Sequence, residues 1–239
     1  MGSDRKWFAG ENPFYQPMSQ FVDALEEAFL DLANVENAHW MRKYMRDQFP
    51  FLGIKKPERA EIFSELYRLH GHPIDFFETS KALFSRSERE FQYIAMEYVR
   101  KAKSAWDQRV PELVEEWIGE ESWWDVVDVL GPQIIGPYFL KFPDQRDYWI
   151  QRWMASGNFW LQRVCLIFQL NYKEKTDREL LATLIIQLAG SKEFFIQKAI
   201  GWALRQFARH DAEWVRDFVA THSLAPLSKR EAMKHIGII

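Results

Sequence analysis

The sequence predicts an all-α protein of the HEAT-like, armadillo-type α-solenoid class, in which stacked helix pairs present a concave face. Three observations predict it. Apolar residues recur at spacings of three and four almost throughout, as in Phe91, Ile94, Ala95, Tyr98 and Val99, which is the period of an amphipathic helix. Alternating apolar and polar runs bounded by turn residues, the mark of strands, are absent. Finally, the chain resembles itself at an offset of 35 residues, the length expected of a two-helix repeat.

Taken in order, the elements carry their own punctuation. Pro57 in KKPERAEIF suits a first helical turn, where its missing N–H costs nothing. Ser85 to Glu88, SRSE, has the spacing of a capping box ahead of the Phe91–Val99 stripe. Breaks at GHP, GP, FPDQ and APLS separate the later helices. NFWLQRVCLIF from Asn158 and EFFIQKAIGWA from Glu193 share aromatics, a glutamine and a basic residue, so Gln162 corresponds to Gln197. EFQYIAMEYV places Gln92 two periods earlier than Gln162. The TPR consensus is absent, which favours a HEAT-like array. The connections are too short for a flexible linker. One domain over 1–239 is expected, with residues 1–17 as an N-terminal extension of open role.

The stretch ESWWDVVDVL, Glu121 to Leu130, breaks the pattern. Shifted by 36 residues it lies on SGNFWLQRVCL, which puts Trp123 and Trp124 on Phe159 and Trp160 and Asp128 on Val164. A carboxylate then stands where the array has an aliphatic side chain. Trp124 and Asp128 are four residues apart and share a helix face. Lys198, Trp202 and Arg205 also share a face, and Arg163 is the repeat equivalent of Lys198. Equivalent faces of successive repeats lie side by side. Trp124, Asp128, Arg163, Lys198, Trp202 and Arg205 are therefore expected to converge on one groove.

Composition bounds what such a groove binds. Lys and Arg total 31 against 34 Asp and Glu, a net charge of -3, so no overall basicity points to a polyanion. The distribution is uneven: residues 160–239 carry 12 basic and 8 acidic side chains, which leaves 19 against 26 in residues 1–159. A basic last part on an acidic chain fits one anion-binding surface. Cys165 is the single cysteine, which excludes an intramolecular disulfide and a cysteine-based zinc site. No segment has signal-peptide or membrane-spanning character, so a cytosolic protein with no membrane partner is expected.

Two indoles beside a carboxylate suit a cation, because the ring quadrupole and the carboxylate both attract positive charge. A rim of Arg and Lys suits a phosphodiester backbone. An N3- or N7-alkylated purine in duplex DNA joins both properties. Its cationic base is a good leaving group, so cleavage needs stabilisation of an oxocarbenium-like sugar and a positioned water. Asp128 is assigned both tasks. No covalent nucleophile is evident, so an abasic product without strand cleavage is expected.

The chain resembles the bacterial alkylpurine DNA glycosylases of the AlkD type, the HEAT-like-repeat DNA alkylation repair family. The resemblance is carried by YMRDQFPFLGIKKPER from Tyr44, SEREFQYIAMEY from Ser87, SWWDVVD from Ser122, NFWLQR from Asn158, SKEFFIQKAIGWALR from Ser191 and LAPLSKREAMKHI from Leu224. It implies that Asp128 is catalytic and that Trp124, Trp202, Tyr44 and Arg163 line the lesion site. It also implies hydrolysis without extrusion of the base into a pocket, unlike base flipping. Tyr44 rests on the resemblance alone.

Ordinary roles compete with each assignment. Asp128 could be a salt-bridged surface residue, Trp202 plain core, and Arg163, Lys198 and Arg205 solvated rim charges. Lys229 and Arg230 are expected to touch phosphate. Asp125 is expected to face solvent or cap a neighbour, and Trp123 to belong to the fold. His70 and His72 in LHGHP lack a nearby carboxylate or cysteine at ligand spacing, so no metal and no cofactor is expected. Cys165, among Val164, Leu166 and Ile167, is expected to be buried packing. A non-catalytic scaffold for damaged or branched DNA or a protein partner is the alternative function. An aromatic cage for methylated lysine leaves the basic rim without purpose. A monomer is the expected state.

Overall fold

The computed structural model describes residues 18–70 and 76–234; the 1–17 extension and His72 lie outside them. The protein is all-α and HEAT-like, with no strand among the described residues. The chain divides into two compact units, 1–104 and 105–239.

The first unit contains α1 (Met18–Asp31), α2 (Val35–Tyr44), α3 (Lys56–His70), α4 (Phe76–Phe84) and α5 (Arg89–Lys101). The α5 stripe is its core: Phe91, Ile94, Ala95, Tyr98 and Val99 are all buried, as their spacing requires. Phe21 of α1 meets Phe63 of α3 edge-on at 6.2 Å and the Tyr98 ring at 5.5 Å. Pro57 lies in the first turn of α3, where Glu58 accepts the Lys55 backbone N–H at 2.9 Å. The SRSE expectation fails. Ser85 follows α4 and donates its hydroxyl to the Ala82 carbonyl, while α5 starts from Glu88 without a side-chain cap.

What anchors this unit is Glu90. Fully buried, its carboxylate accepts the backbone N–H groups of Leu52, Gly53 and Ile54 at 3.1, 2.8 and 3.1 Å. Three amides that no helix satisfies are thereby paired. Gly53 takes φ +89°, and a Cβ there would lie 2.1 Å from the Asn34 carbonyl oxygen. Only glycine permits that approach.

The second unit runs through α6 (Arg109–Glu120), α7 (Trp124–Val129), a π-helical stretch (Leu130–Ile135), α8 (Gly136–Lys141), α9 (Arg146–Ala155), α10 (Phe159–Ile167), α11 (Arg178–Leu188), α12 (Phe194–Phe207), α13 (Ala212–Thr221) and α14 (Pro226–Ala232). Helix α10 packs on α7, α12 on α10, and α14 on α12. Asn158, Asp177 and Asp211 cap α10, α11 and α13 by accepting backbone N–H groups. The N-caps of α5, α7, α10 and α12 are Glu88, Trp123, Asn158 and Glu193, each 35 residues from the last. This regular register corrects the 36-residue shift. The structural counterpart of Asp128 is Arg163, then Lys198, and Val164 instead follows Val129.

The π-helical stretch contains Pro132, which has no N–H to donate. Side chains past the end of α10 complete the local bonding: Asn171 Nδ2 donates to the Pro132 carbonyl at 3.1 Å and Tyr172 Oη to the Gly136 carbonyl at 2.7 Å. A Cβ on Gly136 would lie 2.3 Å from the Phe168 carbonyl oxygen, so the absence of a side chain lets α10 lie against this segment.

Glu90→Ala strands three amides, those of Gly53 and Ile54 buried and that of Leu52 partly so, each worth about 1–3 kcal/mol when buried. Urea unfolding should show a loss of about 3 kcal/mol or more, and Glu90→Gln, which keeps one acceptor oxygen, a smaller loss.

Candidate functional site

Register brings Asp128 and Arg163 together. The Arg163 guanidinium binds the carboxylate in a two-pronged arrangement, Nε to Oδ1 at 2.8 Å and Nη2 to Oδ2 at 2.9 Å. Its Nη1 donates to the Phe195 carbonyl of α12. One guanidinium thus ties α7, α10 and α12. Such planar, charge-assisted pairs are among the strong hydrogen bonds of proteins. Arg163 is 4% exposed, so it is not a rim cation of the kind expected from its repeat position. Its charge faces the carboxylate.

The two partners differ in access. The Asp128 side chain keeps 21% of its surface open against 5% for Arg163. Burial pushes the Asp128 carboxyl above its ordinary value, the Arg163 hydrogen bonds and charge pull it back, and Asp125 adds a small upward push. The net direction is upward. A partly desolvated carboxylate, oriented from behind and open at one side, can face a developing positive charge or hold a water.

The tryptophans separate by role. Trp123 packs against Trp160 at 5.9 Å and Phe195 at 5.5 Å, an aromatic cluster at the starts of three helices. Trp124, one turn before Asp128, stays partly exposed, as does Trp202 on α12. Asp125 is half-buried.

Lys198 and Arg205 stand one turn before and one turn after Trp202, and both reach a residue that sequence reasoning missed. Glu231 of α14 accepts from Lys198 Nζ at 3.2 Å, Arg205 Nη1 at 2.9 Å and Lys234 Nζ at 2.7 Å. Hydrogen bonds from Lys234 first, then from Arg205 and Lys198, hold its carboxyl down to about 2 against the opposing effect of burial. Its one sequence signal is that it is the sole acid in APLSKREAMK. Lys229 is half-buried and Arg230 exposed on the same helix.

Other expected residues fall elsewhere. Tyr44 belongs to the first unit, where it is 72% exposed. Cys165 is buried and its thiol is pushed far up by desolvation. His70 meets Phe21 edge-on at 6.1 Å. Among the described residues no group of three or more His, Cys, Asp or Glu could hold a metal ion, and no helix is long and apolar enough to cross a membrane.

Arg163→Gln removes the charge that opposes burial, so carbon-detected NMR titration should find the Asp128 carboxyl shifted further up. The lost charged hydrogen bonds should also cost about 2 kcal/mol in chemical denaturation.

The family model for DNA alkylation repair enzymes matches residues 25–236. The structure is similar to a solved structure of a predicted DNA alkylation repair enzyme from Enterococcus faecalis, with 32% sequence identity and a TM-score of 0.80. That likeness covers 87% of this chain and 98% of the other. No curated protein matches the sequence. With most of its length matched by the family model and its fold shared with a relative of the same description, the chain belongs to the DNA alkylation repair enzyme family.

Proposed function

We propose that the protein is a monofunctional DNA glycosylase that releases cationic N3- or N7-alkylated purines from duplex DNA. The observation that carries this reading is the Asp128 carboxylate, gripped from behind by Arg163, partly open, and one helical turn from the half-exposed Trp124. A repair enzyme of the alkylation family acts on DNA, and alkylation at these ring nitrogens places a formal positive charge on the base. Indole faces attract that charge.

The reaction balances without a cofactor. The C1′–N bond breaks and its electron pair neutralises the cationic purine. Positive charge moves onto the sugar, where Asp128 faces it. A water oxygen bonds to C1′, its proton passes to Asp128 and then to solvent, and an abasic site remains. Arg163 is the positioning residue that sets the carboxylate plane. Trp124 and Trp202 are assigned to the lesion nucleoside, and Lys198, Arg205, Lys229 and Arg230 to backbone phosphates; Tyr44, exposed on the first unit, is assigned to DNA contact. The Arg and Lys set suits a phosphodiester strand and has no use in a cage for methylated lysine. The protein acts as a monomer.

The test is release of N7-methylguanine or N3-methyladenine from a duplex carrying one lesion, with abasic sites revealed by alkali. Asp128→Asn should slow single-turnover release by about 10²-fold or more. No release by the wild type above background rejects the activity. Release by Asp128→Asn at the wild-type rate rejects the mechanism.

The pH profile adds a second outcome. The reaction needs ionised Asp128, whose carboxyl lies above the ordinary 3.8, so the acid limb of the rate should fall above that value. In Arg163→Gln the limb should move to still higher pH.

A further inference from the structure

The cluster on α12, α14 and the residues just after α14 has three cations around a single carboxylate. Lys198, Arg205 and Lys234 all contact Glu231, whose side chain is 5% exposed, while their own side chains are 37%, 26% and 47% exposed. The carboxylate is therefore inside and the cations outside. One negative charge among three positive ones leaves an excess of two, directed to solvent. Glu231 cannot be neutralised by proton uptake near neutral pH, because its carboxyl is held at about 2.

The backbone around Glu231 is built to hold it there. Helix α14 lies so close to α12 that a Cβ on Gly201 would fall 2.3 Å from the Glu231 Cβ and 2.9 Å from the Ser228 carbonyl oxygen. Ser228 Oγ donates to the Gln197 carbonyl at 2.9 Å, and Arg205 Nη1 donates to the Glu231 carbonyl at 3.0 Å as well as to its side chain. Gly201 immediately precedes Trp202. Lys198 and Arg205, seven residues apart on α12 with Trp202 between them in the helix, are thus both held from one anchored carboxylate.

Long basic side chains lose rotamer freedom when they bind a phosphate. A buried carboxylate that already holds them removes part of that cost, as it does for any preorganised site. We propose that Glu231 is a positioning residue of the DNA interface: it sets Lys198 and Arg205 as a pair of cations for two backbone phosphates flanking the nucleoside that Trp202 faces. The acid contributes to binding a polyanion although its own charge repels one. This inference rests on the reading of α12 as part of the DNA-contacting surface.

Its test exploits that opposition of signs. Binding of a fluorescein-labelled duplex carrying a stable abasic analogue is followed by anisotropy between roughly 50 and 200 mM KCl, with Glu231→Gln beside the wild type. Removing a negative charge beside DNA should, by charge alone, tighten binding and steepen its salt dependence. If Glu231 positions the two cations, the variant should instead bind about 5- to 10-fold more weakly, and the salt slope should fall by about one to two phosphate equivalents. Arg205→Gln should then cost much less in the Glu231→Gln background than in the wild type. Unchanged or tighter binding by Glu231→Gln overturns the proposal, as does additivity of the two substitutions. Where circular dichroism shows Glu231→Gln unfolded, Glu231→Asp, which keeps the charge but withdraws it by one methylene, carries the same comparison: weaker binding supports positioning and equal binding overturns it. The readout needs no base release. A wild type that binds the duplex but releases no purine removes the glycosylase reading alone, whereas a wild type that binds no DNA in this salt range removes the positioning role.

Discussion

The Asp128–Arg163 pair is the interaction on which the proposed chemistry of the second unit rests. A carboxylate with only a fifth of its side-chain surface open loses much of its hydration, and that loss favours the neutral acid. A guanidinium held at 2.8 and 2.9 Å returns part of the lost stabilisation. Arg163 can do this because the Phe195 carbonyl takes its remaining fork and leaves it no freedom to turn outward. The carboxylate is left paired on one side and poorly hydrated on the other, so that in its ionised form it would interact strongly with a cation at its open side.

That geometry follows from close approach of successive helices at one spacing. Because α7, α10 and α12 start 35 residues apart, residue 128 of one helix meets residue 163 of the next, and residue 198 holds the same position along the third. Glycine and proline in the segment after α7 serve the same end. Gly136 lets the α10 backbone in, and the carbonyls around the π-helical stretch are met by Asn171 and Tyr172. π-helical turns cluster at functional sites in general, and this one begins two residues after Asp128.

Two acids thus work in opposite senses along one row of helices. Asp128 has a single cation behind it and an open side, which suits it to face positive charge. Glu231 is enclosed by three cations, and what it presents outward is their excess charge. The basic excess of residues 160–239 seen in composition is in part this shell. Charge sign along a chain says little about a site until burial decides which member of each pair reaches solvent.

Local sequence determined the helices and their period. The stripe Phe91 to Val99, the glutamines 162 and 197, and the spacing of Trp124 and Asp128 depend only on residues within a turn or a repeat of one another, and such relations are visible in one dimension. The resemblance carried by SWWDVVD and SKEFFIQKAIGWALR likewise needs no coordinates to name the family's fold. Tertiary structure decided the rest. A one-residue choice of register, 35 against 36, separates Val164 from Arg163 as the partner of Asp128, and sequence similarity between short aromatic segments is too weak to choose. The structure chose by the N-caps and by a salt bridge 35 residues long in sequence and 2.8 Å long in space. Glu90 and Glu231 were invisible for the same reason. A buried carboxylate is defined by the amides and cations that surround it, and those come from 36 to 38 residues away in one case and, for two of three cations, from the neighbouring helix in the other.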